Sequence, residues 1–174
     1  MSIGIMVFGL NGSGKSTLAK ALSYEIGYKY MDIEDYVFKN SDIPYSLQRT
    51  RDEYIYMMEE DIRKHKNFVM AAVRGNFGDP ITSLFKLAVF IDVPYDIRVK
   101  RVEDRMVVKF GDRVKVGGDM YESEMIFLDF VKNRKMDKLN VWKESLKCPV
   151  ISIDGTLAVS ENVALVKEYI ETYI

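Results

Sequence analysis

A glycine-rich segment near the start of the chain has the residue types and spacing needed to bind phosphate. It reads Gly9-Leu10-Asn11-Gly12-Ser13-Gly14-Lys15-Ser16-Thr17 and fits the pattern G-x-x-x-x-G-K-S, the Walker A motif. Glycines at these positions let the backbone curl so that its N–H groups converge on phosphate oxygens. The lysine can reach the β- and γ-phosphates of a nucleoside triphosphate, and the serine hydroxyl can bind Mg²⁺. The predicted nucleotide-binding residues are Gly9, Asn11, Gly12, Ser13, Gly14, Lys15, Ser16 and Thr17, with Lys15 also catalytic and Ser16 also a metal ligand.

The elements on either side of this segment are those that the motif requires. An apolar run at residues 3–8 predicts a buried strand, and Leu18, Leu22 and Ile26 are spaced like one face of a helix. A strand, a glycine loop and a helix in this order form the phosphate-binding unit. The helix N-terminus then adds its dipole to the attraction for phosphate.

The rest of the chain repeats the alternation of strand and helix. Further strands are predicted at residues 28–32, 68–73, 87–91 and 150–153, and helices at about 15–26, 46–65, 95–109, 122–144 and 159–172. This pattern predicts a single α/β domain over residues 1–174 with the three-layer P-loop NTPase fold, in which helices cover both faces of a five-stranded parallel sheet. Asp32, Arg74 and Asp92 follow three of the strands, so we expect them at the edge of the sheet where the phosphate loop lies.

Two connections are longer than a compact α/β domain needs. We interpret residues 33–65 as an insertion that binds a phosphate acceptor and residues 95–144 as a lid. The core is then formed by about 1–32, 66–94 and 145–174. Long insertions above a site of this kind are typical of substrate flaps and lids.

The second insertion carries a row of cations. Arg98, Arg101 and Arg105 share one face of the predicted helix. Phosphoryl transfer depends on positioning, on Mg²⁺ and on cations that neutralise the transferring group. In a chain with a phosphate loop we therefore favour a lid function for these arginines. The alternative is a solvated basic face paired with Glu103 and Asp104.

The order of elements resembles, over nearly the whole chain, that of P-loop small-molecule kinases of the adenylate kinase and shikimate kinase type. Val93-Pro94 followed by Arg101-x-x-x-Arg105 resembles the start of the lid in nucleoside monophosphate kinases. In that family the two matching arginines contact ATP and the transferring phosphate. The resemblance therefore implies catalytic roles for Arg101 and Arg105, and it makes Arg113 and Arg134 further lid candidates.

The resemblance also covers the loop that binds the adenine ring of the phosphate donor in this family. Ile153-Asp154-Gly155-Thr156 resembles the loop after the last strand, where backbone groups hold the adenine ring in this family. It implies that ATP is the phosphate donor and that Asp154 and Gly155 bind it.

The chain departs from the family at its third strand. Nucleoside monophosphate kinases carry an acidic residue there, in a D-G-x-P-R-like segment, but this chain has Met70-Ala71-Ala72-Val73-Arg74-Gly75-Asn76-Phe77-Gly78. Arg74 is kept as a candidate for binding an anionic acceptor. The missing acid must come from elsewhere, and Asp32-Ile33-Glu34 resembles the D-x-D of shikimate kinase-like enzymes. We assign Asp32 to Mg²⁺ or to the general base and Glu34 to the acceptor; the alternative is that Asp32 caps the next helix or faces water.

Two further positions have competing interpretations. Asp92 ends an apolar run in the manner of a Walker B strand, but we favour a role as the cap of the helix after Pro94. Arg49, with Arg51 and two neighbouring tyrosines, is a candidate for binding an acceptor that bears phosphate or carboxylate.

Composition narrows the function. The formal net charge is −1, which makes nucleic acid an unlikely partner, and no apolar run is long enough to span a membrane. The phosphate loop begins nine residues into the chain, too early for a cleaved leader, so we expect a cytoplasmic protein.

We predict an ATP- and Mg²⁺-dependent phosphotransferase that acts on a small metabolite, first a nucleotide or nucleoside and second a hydroxylated acid or sugar. A nucleotide-binding regulatory module that does not catalyse is the alternative from another class. A GTPase is disfavoured because the chain has no N-K-x-D segment, and an AAA-type ATPase is disfavoured by the short chain.

Overall fold

The computed structural model describes residues 2–75 and 77–174. In this part of the chain five parallel strands form one sheet in the order β2-β3-β1-β4-β5. The strands are β1 Gly4–Phe8, β2 Lys29–Asp32, β3 Phe68–Ala72, β4 Phe85–Asp92 and β5 Val150–Asp154. Each lies within two residues of its predicted position, and the α/β P-loop fold is confirmed.

The helices cover both faces of this sheet. They are α1 Lys15–Ile26, α2 Ile33–Val37, α3 Arg51–His65, α4 Asp79–Thr82, α5 Tyr95–Phe110, α6 Tyr121–Asn133, α7 Asp137–Glu144 and α8 Val159–Tyr173, and a 3₁₀ helix spans Gly111–Val114. No helix in the described ranges is both long and apolar enough to cross a membrane.

The side chains of β1, the central strand, alternate between two apolar cores on opposite faces of the sheet. Met6 and Phe8 of β1 point to one face, where they join a cluster that includes Met58 of α3 and Leu139 of α7. Ile5 and Val7 point to the opposite face and pack in a cluster with residues of α1 and α8. Because successive side chains of a strand face opposite sides, one buried strand serves both cores and holds the loop that follows it in place.

The second long connection has an apolar cluster of its own. Val99, Val102 and Met106 of α5 are buried with Leu128 and Val131 of α6. These helices are joined through the 3₁₀ helix and pack as a hairpin.

Helix boundaries differ from the sequence prediction in two places. The helix expected from residue 46 begins at Arg51, because Thr50 and Glu53 form a capping box. The helix expected over residues 122–144 is broken, because Arg134 is extended (φ −73°, ψ 116°) and ends α6. That break matters for the site, since it turns the Arg134 side chain towards the phosphate loop.

Candidate nucleotide and acceptor site

The phosphate loop connects β1 to α1 and is held close against the start of α5. Gly12 and Gly14 have φ of 80° and 92°, which favours glycine. A Cβ on Gly12 would lie 2.2 Å from the carbonyl oxygen of Arg98. The loop therefore needs glycine both for its curvature and for its contact with α5. The Ser13 hydroxyl is buried and has no partner among the described residues, as fits a loop built around a ligand.

Lys15 lies at the centre of the charged groups. It is buried, and burial lowers the pKa of its ammonium group. The carboxylates of Glu34 and Asp32 raise this pKa, whereas the guanidinium groups of Arg105 and Arg134 lower it further. The structure thus brings together around the loop lysine the acid that ends β2, one acid of the first insertion and two arginines of the second insertion.

Asp32 serves two structural contacts at once. It is the N-cap of α2, where its Oδ1 accepts a hydrogen bond from the Glu34 N–H at 3.1 Å. Its Oδ2 accepts from the Tyr30 hydroxyl at 2.9 Å, and that hydroxyl also bonds to Ser16. Asp32 therefore does cap the next helix, as the alternative interpretation predicted, and the same carboxylate also faces Lys15.

Ser16 and Asp32 fit Mg²⁺ by the chemistry of their donors. No group of three His, Cys, Asp or Glu in the described parts of the chain could hold a metal ion. Mg²⁺ needs no such group, because it keeps several waters and takes its other ligands from one or two carboxylates and from substrate phosphates. Tyr30, which the sequence analysis did not single out, links the two candidate ligands.

The three arginines of α5 have different surroundings. Arg98 is buried and donates from Nε to the Val93 carbonyl at 3.2 Å and from Nη1 to the Asn11 carbonyl at 3.4 Å. Arg101 donates from Nη2 to the Gly155 carbonyl at 3.0 Å. Arg98 is thus part of the support for the phosphate loop, and a solvated basic face is the wrong description of it.

A pocket of about 220 Å³, the donor-side pocket, lies between the phosphate loop and the loop after β5. Ser13, Gly14, Arg101 and Gly155 are among its lining residues. A Cβ on Gly155 would lie 2.4 Å from methyl carbons of Ile91 and Val93, so only glycine lets this loop pack so closely. Asp154 is exposed and its carboxylate accepts from the N–H and hydroxyl of Thr156, which leaves it shaping the turn rather than lining the pocket.

A larger pocket of about 440 Å³, the acceptor-side pocket, lies on the other side of the loop between the two insertions. Asn11, Glu34, Arg105 and Arg134 line the end near Lys15. Aromatic side chains form much of the remaining wall: Phe38, Tyr45, Phe110, Phe127 and Phe130. Lys109 of α5 contacts the Tyr45 hydroxyl across the pocket and lies over its ring. Residue types of this kind suit a planar ligand with a charged or polar end.

Arg134 and Arg74 lie together at one margin of this pocket. Arg134 donates from Nη1 to the Asn11 side-chain oxygen at 2.8 Å, and burial together with Arg74 lowers its pKa. Arg74 does not line the acceptor-side pocket but a neighbouring one of about 380 Å³, which it shares with Arg134 and Phe130. The two guanidinium groups form a cationic margin that an anionic group could neutralise.

Three sequence-based interpretations change with the structure. Arg49 donates from one nitrogen to the carbonyls of Asp35, Tyr36 and Phe38, so it fixes the turn of the first insertion. Arg113 is partly buried and forms a bidentate pair with Asp119. The capping role favoured for Asp92 is wrong, because Pro94 is the N-cap of α5 and no side chain caps it; the Asp92 carbonyl instead accepts from the Gly155 N–H.

The sequence analysis missed two other pocket residues. Glu124 of α6 is a buried carboxylate and Lys109 spans the pocket. A glutamate or lysine on an amphipathic helix gives no signal of its own, because such residues usually face solvent.

The phosphate loop, the parallel sheet and the helix arrangement define a P-loop nucleotide-binding domain with the fold of small-molecule kinases. A family model described as AAA domain matches residues 5–109, and the chain belongs to that family. The family is defined by the domain that its model matches, whereas the argument from chain length concerned the activity of an AAA-type ATPase.

One curated relative and two solved structures are similar to the chain over nearly its whole length. The uncharacterized protein YqaC of Bacillus subtilis (strain 168) is 28% identical over 182 residues, which cover 99% of each chain. A shikimate kinase from Bacteroides thetaiotaomicron has a TM-score of 0.61 at 15% identity, over 98% of this chain and 99% of that one. A deoxyadenosine kinase from M. mycoides with bound dATP has a TM-score of 0.57 at 15% identity, over 98% of this chain and 100% of that one. At such identities the two structures share the fold with this chain.

Proposed function

We propose that this protein is a phosphotransferase that moves the γ-phosphate of ATP to a small metabolite in the presence of Mg²⁺. One observation carries the proposal: the phosphate loop lies between two pockets, one lined by its residues Ser13 and Gly14 and the other by its residue Asn11. Gly14 and Arg101 belong to the donor-side pocket, whereas Asn11, Glu34 and Arg105 belong to the acceptor-side pocket. A protein that only bound nucleotide would have no use for the second pocket at this position.

On the donor side, the loop amides and Lys15 hold the phosphates. Ser16 and Asp32 would hold Mg²⁺, which would neutralise negative charge on the phosphates of ATP. Arg101 is placed to contact ATP beside Gly14, and Arg105 faces the transferring phosphate from the acceptor side. Both arginines lie on one helix, α5, which gives the fixed positioning that phosphoryl transfer requires.

On the acceptor side, a hydroxyl or phosphate oxygen of the acceptor attacks the γ-phosphorus. The bond from that phosphorus to the oxygen bridging to the β-phosphate breaks, and ADP leaves. Any proton on the attacking oxygen passes to a carboxylate, for which Glu34 is free when Asp32 binds the metal. The acceptor must therefore present its oxygen beside Glu34 and Lys15.

The walls of the acceptor-side pocket favour a nucleotide or nucleoside as acceptor. Phe38, Phe110, Phe127 and Phe130 offer aromatic surface to a planar base. A structural neighbour, the deoxyadenosine kinase, is named for an acceptor of this kind. The Arg74 and Arg134 margin supports an acceptor with an anionic group as well, which keeps a hydroxylated acid of the shikimate type as the second candidate.

The test is ADP formation in a coupled assay with Mg-ATP and a panel of nucleosides, nucleoside monophosphates, shikimate and sugars. We expect acceptor-dependent ADP formation with at least one nucleoside or nucleotide, and its loss in Lys15→Ala. If ATP binds but no acceptor raises ADP formation above background, the protein is not a kinase of these compounds and the regulatory module becomes the better account.

A further inference from the structure

Glu124 has a position that the proposed chemistry does not explain. It is 8% exposed, lies on the first turn and a half of α6 and lines the acceptor-side pocket. Within residues 2–75 and 77–174, no group lies at hydrogen-bond distance from its carboxylate and no cation lies within 4.0 Å. Its carboxylate is therefore an unpartnered acceptor of hydrogen bonds that faces the pocket.

Such a group is unfavourable for the protein on its own. Burial raises the pKa of Glu124, and the nearby charges of Lys109 and Arg105 lower it only in part. Partly burying a carboxylate without a hydrogen-bond donor is unfavourable unless a partner is supplied. An apolar side chain, like those of Phe127 and Met106 in the same pocket, would not have this cost, so stability alone does not account for a glutamate.

The helix dipole does not account for it either. A carboxylate in the first turn of a helix is favoured by the N-terminal partial charge. Glu122 lies in the same turn and is exposed, so it gains this effect without burial. Glu122 also provides a matched control.

Glu124 lines the acceptor-side pocket from α6, whereas Glu34 lines it from α2 at the other insertion. Phe127 and Phe130 line the pocket from the same helix as Glu124. A ligand that reaches from Lys15 to Glu124 would pass between aromatic side chains and meet the carboxylate with its far edge.

On this basis we infer that Glu124 accepts a hydrogen bond from an exocyclic amino group on the edge of a planar acceptor base, and so selects amino-bearing nucleosides or nucleotides. The inference rests on the proposed function for the identity of the pocket. A carboxylate supplies acceptors only, so a base with a carbonyl at the same place would be repelled. An unpaired buried charge makes such discrimination strong, about 10- to 100-fold in affinity.

The test compares bases that differ at the amino position. Binding of guanosine and inosine, adenosine and purine riboside, and cytidine and uridine, each as nucleoside and 5′-monophosphate, is measured by calorimetry with Mg²⁺ and a non-hydrolysable ATP analogue present. We expect the amino-bearing member of at least one pair to bind about 10- to 100-fold more tightly. We expect Glu124→Leu to abolish this preference, Glu124→Gln to keep part of it through its carbonyl oxygen, and Glu122→Gln to leave it unchanged.

Several outcomes would overturn the inference. They are equal affinities within every pair, a preference that survives Glu124→Leu, or no binding by any member. If Glu124→Leu does not fold, Glu124→Gln decides by the size of its loss of preference. The binding result and the activity result test different proposals. A preference for amino-bearing bases without ADP formation would support the role of Glu124 and refute the kinase proposal. ADP formation without such a preference would support the kinase proposal and refute the role of Glu124.

Discussion

Replacing Gly12 by alanine tests whether the phosphate loop is positioned by its contact with α5. At φ of 80° a Cβ costs about 1–2 kcal/mol in any setting. At Gly12 that Cβ would also lie 2.2 Å from the Arg98 carbonyl oxygen, where ordinary contacts begin at 3.4 Å. The loop or the start of α5 must therefore move by about 1 Å, and such overpacking adds about 1–3 kcal/mol.

Gly27 is the matched control. Its φ is 70°, and a Cβ there would meet nothing within 4 Å. The free energy of unfolding of Gly27→Ala should therefore fall only by the backbone conformational cost, about 1–2 kcal/mol, and this variant should bind ATP as the unaltered protein does. The free energy of unfolding of Gly12→Ala should fall by a further amount of about 1–3 kcal/mol. For a chain of this size, each kcal/mol lowers Tm by about 2–4 °C.

The functional consequence should be larger than the loss of stability. A displacement of about 1 Å at a phosphate site can reduce function about 100-fold. We expect Gly12→Ala to bind a fluorescent ATP analogue at least 10-fold more weakly, and Gly27→Ala to bind it with unchanged Kd. Equal Tm and equal Kd for the two variants would refute the argument that α5 holds the loop.

Three more predictions follow from the site. Arg101→Ala should lower kcat about 100-fold or more in the ADP assay, whereas Lys100→Ala on the same helix, with its exposed pair to Asp104, should leave it unchanged. Tyr30→Phe removes the hydroxyl that donates to the Asp32 carboxylate. We expect the free energy of unfolding, measured by denaturant titration, to fall by about 1 kcal/mol. We also expect the Mg²⁺ concentration that gives half-maximal activity to rise. The raised pKa of Glu124 means that the native state binds the proton of this carboxyl group more tightly than the unfolded state does. The contribution of this group to stability is therefore present below its unfolded pKa and is lost as pH rises through its folded pKa. Glu124→Gln should show a smaller fall in Tm between pH 4 and pH 8 than the unaltered protein, and parallel Tm profiles would contradict this.

The fold was predictable because its signals are local. The phosphate loop has a fixed spacing, and each buried strand is a short apolar run beside an amphipathic helix. The five strands and α1 were placed from these patterns alone. The break between α6 and α7 was not, because no local signal marks it: Arg134 is extended there, and its side chain bonds to Asn11 in the distant phosphate loop.

The site was less predictable than the fold. The resemblance to known kinases pointed to Arg101 and Arg105, but spacing could not separate them from Arg98, which shares their helix face and supports the loop instead. Glu124 and Tyr30 carried no motif. Their places depend on which helix face meets a pocket, and tertiary packing decides that.

The most direct test of the account is the transfer of radiolabelled γ-phosphate from ATP to an acceptor, followed by separation of the products. With Mg²⁺ present we expect label on a nucleoside or nucleotide acceptor with the unaltered protein and none with Lys15→Ala. If ATP binds but label appears only as inorganic phosphate, or stays on ATP with every acceptor tried, the two pockets are not the two halves of a kinase site.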